Sequence, residues 1–222
     1  MYNLFMKLNQ IISFDIDGVI VDSASNAIKL YNKRFNQNKK VINLKKFFIL
    51  FDWLTDILKD KNIAAEEAIK IWNDEEVLSQ SKPIPGARKL LKILTSKGYQ
   101  VRFVTSRPGS VRLITLNWFK KWLPWIPEES IHISSSTAGL QRSFKSKTIG
   151  LIKPLIHFED SIEHISDIIL ASPKTRIILV RQPWNYNITE VFPKTVFVPV
   201  GPGVMKNVMS SYNHYLSKHS ND

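Results

Sequence analysis

Ile11-Ile12-Ser13-Phe14-Asp15-Ile16-Asp17-Gly18-Val19-Ile20-Val21-Asp22 runs a short apolar stretch straight into two aspartates and a glycine. An apolar run that stops so abruptly suits a buried parallel strand ending at a loop, not a helix. In open α/β sheets ligands bind in the crevice beyond the carboxyl ends of the strands, which puts both carboxylates where chemistry is expected. Asp-x-Asp-Gly arises by chance in roughly one chain in thirty of this length. A calcium loop would alternate its acidic ligands and hold glycine at the sixth position, whereas Gly18 directly follows the second aspartate.

Outward from that segment, similar short apolar runs recur at Gln100–Val104, Ile131–Ile133, Leu155–Phe158, Arg176–Val180 and Val196–Val198. Several follow amphipathic stretches of helical length. In Ala87–Lys97, Leu90, Leu91 and Leu94 share one face, and Gly98 stops the helix before the next strand. This βα alternation predicts an α/β fold with a doubly wound, Rossmann-like parallel sheet. Between Asp22 and Pro83 the strand signal disappears and helix-forming segments take over: Ser23–Phe35, Lys45–Lys59 and Ala64–Leu78. Pro83 and Pro85-Gly86 mark the return. Residues 1–22 and 83–222 are therefore expected to form the core domain, and 23–82 a small helical cap inserted after the first strand. Pro199–Gly203 reads as a break before a final helix, Val204–Lys218.

The chain has 222 residues, 44% of them apolar, enough for a packed interior. Lysine and arginine number 31 against 19 acidic residues, a net charge of +12, with most of the excess beyond residue 83. Such a field concentrates phosphate-bearing ligands, small or polymeric, although scattered solubilising lysines produce the same total. The absence of cysteine excludes disulfides, thiolate metal sites and a cysteine nucleophile. No stretch approaches the ~18 apolar residues of a membrane span, and Met1–Gln10 lacks a signal-like run, so a cytoplasmic protein with no membrane partner is expected. No Gly-x-x-x-x-Gly-Lys-Ser/Thr and no Gly-x-Gly-x-x-Gly is present, which removes the common triphosphate and dinucleotide cradles.

Phe14–Asp22 resembles the first motif of the haloacid dehalogenase-like superfamily, whose phosphatases begin with Asp-x-Asp-Gly after an apolar strand. The resemblance implies an aspartyl-phosphate mechanism. Asp15 attacks phosphorus, and Asp17 protonates the leaving oxygen and then activates water. An acid at Asp17 points to phosphate over halide chemistry. Val101–Pro108 is similar to the second motif, with Thr105 as the phosphate-binding hydroxyl and Ser106 and Arg107 adding contacts to the same oxygens. Leu155–Ser161 is similar to the fourth, which makes Asp160 a Mg²⁺ ligand. The implied set is an Asp15 carboxylate oxygen, the Asp17 backbone carbonyl, Asp160, a substrate phosphate oxygen and waters. Glu159 replaces the commoner first Asp; direct contact with metal, contact through water, and capping of the next helix all stay open. The superfamily's phosphate lysine is assigned to Lys147, at the expected start of a helix Thr148–Lys153, in preference to Lys145 and Lys153.

The insert is rich in aromatics: Phe47, Phe48, Phe51, Trp53 and Trp72. Most must be its core, and any that face the cleft would stack on a nucleobase. A small helical cap in this place resembles the deoxyribonucleotidases. The expected activity is Mg²⁺-dependent hydrolysis of a small phosphorylated substrate, with a nucleoside monophosphate favoured. Alternatives are a sugar-phosphate phosphatase, a phosphomutase, a phosphatase of nucleic-acid ends, and a nucleic-acid-binding protein using the basic surface with Trp118, Trp122 and Trp125. One helical turn separates Trp118 from Trp122, so a shared buried face is the simpler account of that cluster. His132, His157 and His164 lack metal-ligand spacing and receive no catalytic role; His157, inside an apolar strand, is expected to be buried and hydrogen-bonded.

Overall fold

Phe14 closes strand β1 (Ile11–Phe14) with its side chain wholly buried, and the sheet is assembled around it. In the computed structural model, which describes residues 10–46, 48–136, 142–187, 192–200 and 207–219, β1 lies between β2 (Gln100–Val104) and β4 (Ile156–Glu159), both parallel to it. Phe14 is in register with Phe103 on one side and Phe158 on the other, stacking on Phe158 at 4.5 Å between centroids. With β3 (Ile131–His132), β5 (Arg176–Leu179) and β6 (Val196–Phe197) the sheet has six parallel strands in the order β3-β2-β1-β4-β5-β6. The winding direction reverses between β1 and β4, the switch point at which such sheets open a crevice.

Between Asp22 and Pro83 the described chain is helical: α1 (Ser23–Phe35), α2 (Ile49–Leu58), α3 (Lys61–Trp72) and α4 (Glu75–Gln80), with a short 3₁₀ turn at Val41–Asn43. The expected helix Ala64–Leu78 is in fact two, because the Asp74 carboxylate accepts from the Glu76 amide at 2.9 Å and starts a new helix there. These helices bury an apolar cluster of their own, with Leu50, Leu54, Ala64 and Ile71 at its centre. The chain leaves and re-enters the sheet side by side: the Asp22 amide donates to Lys82 and the Ile84 amide to Ile20, each at 2.9 Å. The Trp118 indole N–H braces this crossing by donating to the Ser81 carbonyl at 2.7 Å.

The remaining helices flank the sheet: α5 (Ala87–Ser96), α6 (Arg112–Trp122), α7 (Arg142–Ile152), α8 (Ile162–Ala171) and α9 (Val208–His219). Phe47 of the expected insert aromatics and Gly201–Lys206 of the expected terminal break and helix lie outside the described residues. Among the described residues no helix is long and apolar enough to cross a membrane.

Phe14 touches both neighbouring strands through its ring, so its removal opens a cavity where no chain end can collapse into it. Phe14→Ala should lower unfolding stability by about 3–5 kcal/mol with an unchanged denaturant slope, measured by urea titration of the metal-free protein.

Candidate active site

Asp15 continues β1 and Glu159 ends the adjacent parallel strand β4, and the Asp15 amide donates to the Phe158 carbonyl at 2.9 Å, which brings the two acidic motifs side by side. Gly18 follows with φ +73°. A β-carbon there would sit 2.2 Å from Asp160 Oδ2 and 3.0 Å from Trp184 Cζ2, so both the backbone conformation and the approach of Asp160 require glycine.

Lys145 meets the carboxylates from α7. Its Nζ is 3.0 Å from Asp15 Oδ1, 2.9 Å from Glu159 Oε2 and 2.9 Å from His164 Nδ1, and only 1% of the residue is exposed. Glu159 Oε1 accepts from the amides of Asp160 and Ser161, both at 3.1 Å. His157 reaches Glu159 Oε2 through Nε2 at 3.3 Å and Ser13 Oγ through Nδ1 at 2.8 Å, the buried, hydrogen-bonded state expected for it. Asp17 is held by Arg107, whose Nε and Nη2 donate to its two oxygens at 2.8 and 2.7 Å. The guanidinium is itself anchored, with Nη1 donating to Thr115 Oγ1 at 3.0 Å.

These contacts set the charge states. Burial raises Asp17, but the Arg107 guanidinium outweighs it and keeps the carboxyl below its usual range. Burial also acts on Glu159, and Lys145 with the two histidines holds it well below its ordinary value. Asp15 is pushed up to about 7 by burial, with Lys145 opposing and Glu159 and Asp17 adding to the rise. Asp160 is raised well above its usual range by burial and by the charges of Glu159 and Asp15. Lys145 is raised too, because its anionic neighbours overcome the cost of burying it.

Asp17 and Arg107 therefore form a neutral pair, and Asp15, Glu159 and Asp160 face Lys145 with two negative charges unmatched when all are ionised. The three carboxylates offer oxygens within 4.8 Å of one another. Hard oxygen donors around a two-charge deficit suit one divalent cation, and the raised carboxyls are Asp15, which shares Lys145 with Glu159, and Asp160.

The structure brings Asp15, Asp17, Thr105, Ser106 and Asp160 to one cavity of about 280 Å³ between the strand ends and the helices of residues 23–80. Thr105 Oγ1 accepts from the Arg107 amide at 3.2 Å, while Ser106 Oγ is buried with no hydrogen-bond partner among the described residues. The assignment of Lys147 is corrected: it is exposed on α7, and the lysine at the carboxylates is Lys145. The helix begins at Arg142 instead of Thr148, so both lysines are in mid-helix. Two residues apart they point some 200° from each other, and Lys145 shares the inward face with Thr148 and Ile149. That i, i+3, i+4 spacing was the available signal. Glu159 caps the amides before α8 and pairs with Lys145.

Phe48, Phe51 and Trp72 line the cavity, with Leu44 and Ile69, whereas Trp53 packs on Tyr31 at 5.6 Å. Trp118 is buried, and Trp122 and Trp125 pack against the same core with Lys121 over one ring and Lys92 and Arg88 over the other. Sequence reasoning missed Trp184, Gln182 and Asn185: they sit in a turn after β5, where no period or motif marks them.

Residues 9–192 match the family described as 5' nucleotidase, deoxy (pyrimidine), cytosolic type C protein. Curated proteins yield no significant match. Among solved structures, a hydrolase from Pseudomonas syringae is similar at TM-score 0.57 and 16% identity, over 94% of this chain and 99% of that one. A haloacid dehalogenase-like family hydrolase from Streptococcus pneumoniae has TM-score 0.53 and 19% identity, over 77% of this chain and 83% of that one. A HAD-superfamily hydrolase of subfamily IA, variant 1, from Geobacter sulfurreducens has TM-score 0.53 and 16% identity, over 78% and 87%. At these identities the likeness is one of fold.

A carboxyl whose folded-state pKa is raised favours folding only while protonated, so its contribution is lost as pH climbs from the usual carboxylate range through the raised value. In chelator, Asp160→Asn should match the wild type near pH 4 and exceed its melting temperature at pH 7–8, by about 2–4 °C for each kcal/mol of relieved charge burial. Excess Mg²⁺ should reverse that order, because the wild type then gains the ion's binding energy. Thermal unfolding across pH checks both.

Proposed function

From the premise that the chain belongs to the 5' nucleotidase, deoxy (pyrimidine), cytosolic type C protein family, among the haloacid dehalogenase-like phosphatases, we propose that this phosphomonoester hydrolase acts on nucleoside monophosphates through an Asp15 phosphoenzyme. The observation that carries the reading is the buried Asp15 carboxylate, 3.0 Å from Lys145 Nζ and within cation-sharing distance of Asp160.

Asp15 bonds to phosphorus as the ester P–O bond breaks, and the departing oxygen takes a proton from Asp17. Water then attacks the phosphorus of the acyl phosphate while Asp17 accepts its proton; the bond to Asp15 breaks and inorganic phosphate leaves. The hold of Arg107 keeps Asp17 ionised, which is the form the second step needs. For the first step, Asp17 must carry a proton and loosen that pair as substrate arrives. Thr105 and Ser106 donate to phosphate oxygens, and the unpartnered Ser106 hydroxyl supports that role. Lys145 balances the nucleophile and the transferring group. The Asp15 carboxylate and Asp160, with the Asp17 carbonyl as the family resemblance implies, would hold Mg²⁺, which would supply positive charge to the phosphoryl oxygens.

Residues 23–82 act as a cap over this site. Phe48, Phe51 and Trp72 supply flat apolar surface for a nucleobase, and their placement on the cavity wall supports a nucleotide over a sugar phosphate.

Asp15→Asn should abolish phosphate release from nucleoside monophosphates and from an aryl phosphate while the protein stays folded; retained turnover would sink the mechanism. Lys145→Met should lower kcat by about 10²-fold or more, whereas Lys147→Ala should stay within about twofold of wild type. Phosphate release over a panel of nucleotides and sugar phosphates reads the substrate class.

A further inference from the structure

The turn after β5, Arg181 to Asn185, attaches to both acidic motifs at once. The Gln182 side-chain amide donates to the Gly18 carbonyl. Asn185 Nδ2 donates to the Asp160 backbone carbonyl at 2.7 Å and to Val180 at 2.9 Å. Trp184 Nε1 donates to Asp160 Oδ2 at 3.0 Å, and its ring lines the substrate cavity. The turn is stiff in its own right: Asn185 Oδ1 accepts from the Gln182 amide at 2.9 Å, and Arg181 Nη1 donates to the Asn185 carbonyl at 2.9 Å.

Asp160 is thus held at its main chain by Asn185 and at its carboxylate by Trp184, while its neighbours Asp15 and Glu159 repel it. Among the described residues the indole N–H is the hydrogen-bond donor to this carboxylate, and it keeps the group turned towards Asp15 against that repulsion. Groups that hold metal-binding carboxylates tune affinity by fixing the orientation before the ion arrives.

We propose that Trp184 is a positioning residue for the divalent cation: its N–H holds the Asp160 carboxylate within cation-sharing reach of Asp15, while its fused ring forms part of the leaving-group wall. The proposal rests on the metal assignment given under Proposed function. It gives one side chain two separable tasks, one belonging to the nitrogen and one to the benzo ring.

Two variants of the full chain separate them. Trp184→Phe keeps a ring and removes the donor. Trp184→His loses the benzo ring but carries a nitrogen at the position in its five-membered ring that Nε1 occupies in indole, and Mg²⁺ prefers oxygen ligands, so the imidazole is a poor ligand for it. In calorimetric titration with Mg²⁺, Trp184→Phe should bind about tenfold or more weakly, and Trp184→His should recover most of that loss. KM for a nucleoside monophosphate should move the other way, rising in Trp184→His more than in Trp184→Phe when both are measured at saturating Mg²⁺. A merely structural tryptophan would weaken both quantities in parallel with the melting temperature, and that result overturns the proposal. Mg²⁺ binding by Trp184→Phe at wild-type affinity overturns it as well. Should the Phe variant fail to fold, ¹⁵N-labelled wild-type protein carries the test: the indole N–H signal absent from Trp184→His must shift on adding Mg²⁺, and an unmoved signal is fatal. Absence of any Mg²⁺ binding by the wild type would instead defeat the metal assignment beneath it.

Discussion

Charge burial at the strand ends governs this site. Asp15, Glu159 and Asp160 are all buried and close enough to share one ion, with Lys145 as their buried cation. Carboxylates in such a place either find positive charge or take up protons. Glu159 has found Lys145, two backbone amides and two histidines; Asp17 has found Arg107; Asp15 shares Lys145 with Glu159, and Asp160 has only the Trp184 indole beside its carboxylate among the described residues. The same imbalance that makes the cluster costly suits it to a divalent cation.

Holding that imbalance in place requires rigidity on every side. The sheet fixes Asp15 and Glu159 through parallel register around Phe14, whose ring stacks on Phe158. Gly18 lets the loop fold back against Asp160, and the turn carrying Gln182, Trp184 and Asn185 clasps that loop and Asp160 from beyond β5. Arg107 is anchored by Thr115, so the pair it forms with Asp17 is prepared before substrate arrives. Repulsion among anions is contained by hydrogen bonds whose other ends are built into the core.

Much of this was readable in one dimension. Strands buried on both faces are apolar runs with little alternation, and those at Ile11–Phe14 and Gln100–Val104 stand out for that reason. The helix Ser23–Phe35 was legible from its pattern as well. The break between α3 and α4 was not, because Asn73-Asp74 is tolerable within a helix until the Asp74 carboxylate caps the next one. A helix starting at Thr148 favours Lys147 over Lys145; with the helix running from Arg142 and its inward face set by Thr148 and Ile149, the phase selects Lys145.

By itself the chain's order of residues determined the α/β class and the emergence of Asp15 and Asp17 at a strand end. Those are local facts, since alternation, apolar runs and breakers act over a few residues. Only the tertiary structure decided which lysine meets Asp15, that Arg107 grips Asp17, that Glu159 serves Lys145 and the next helix, and that Trp184 reaches Asp160. These contacts join segments remote along the chain, and their strength depends on angstrom distances and on exclusion of water, neither of which sequence spacing encodes.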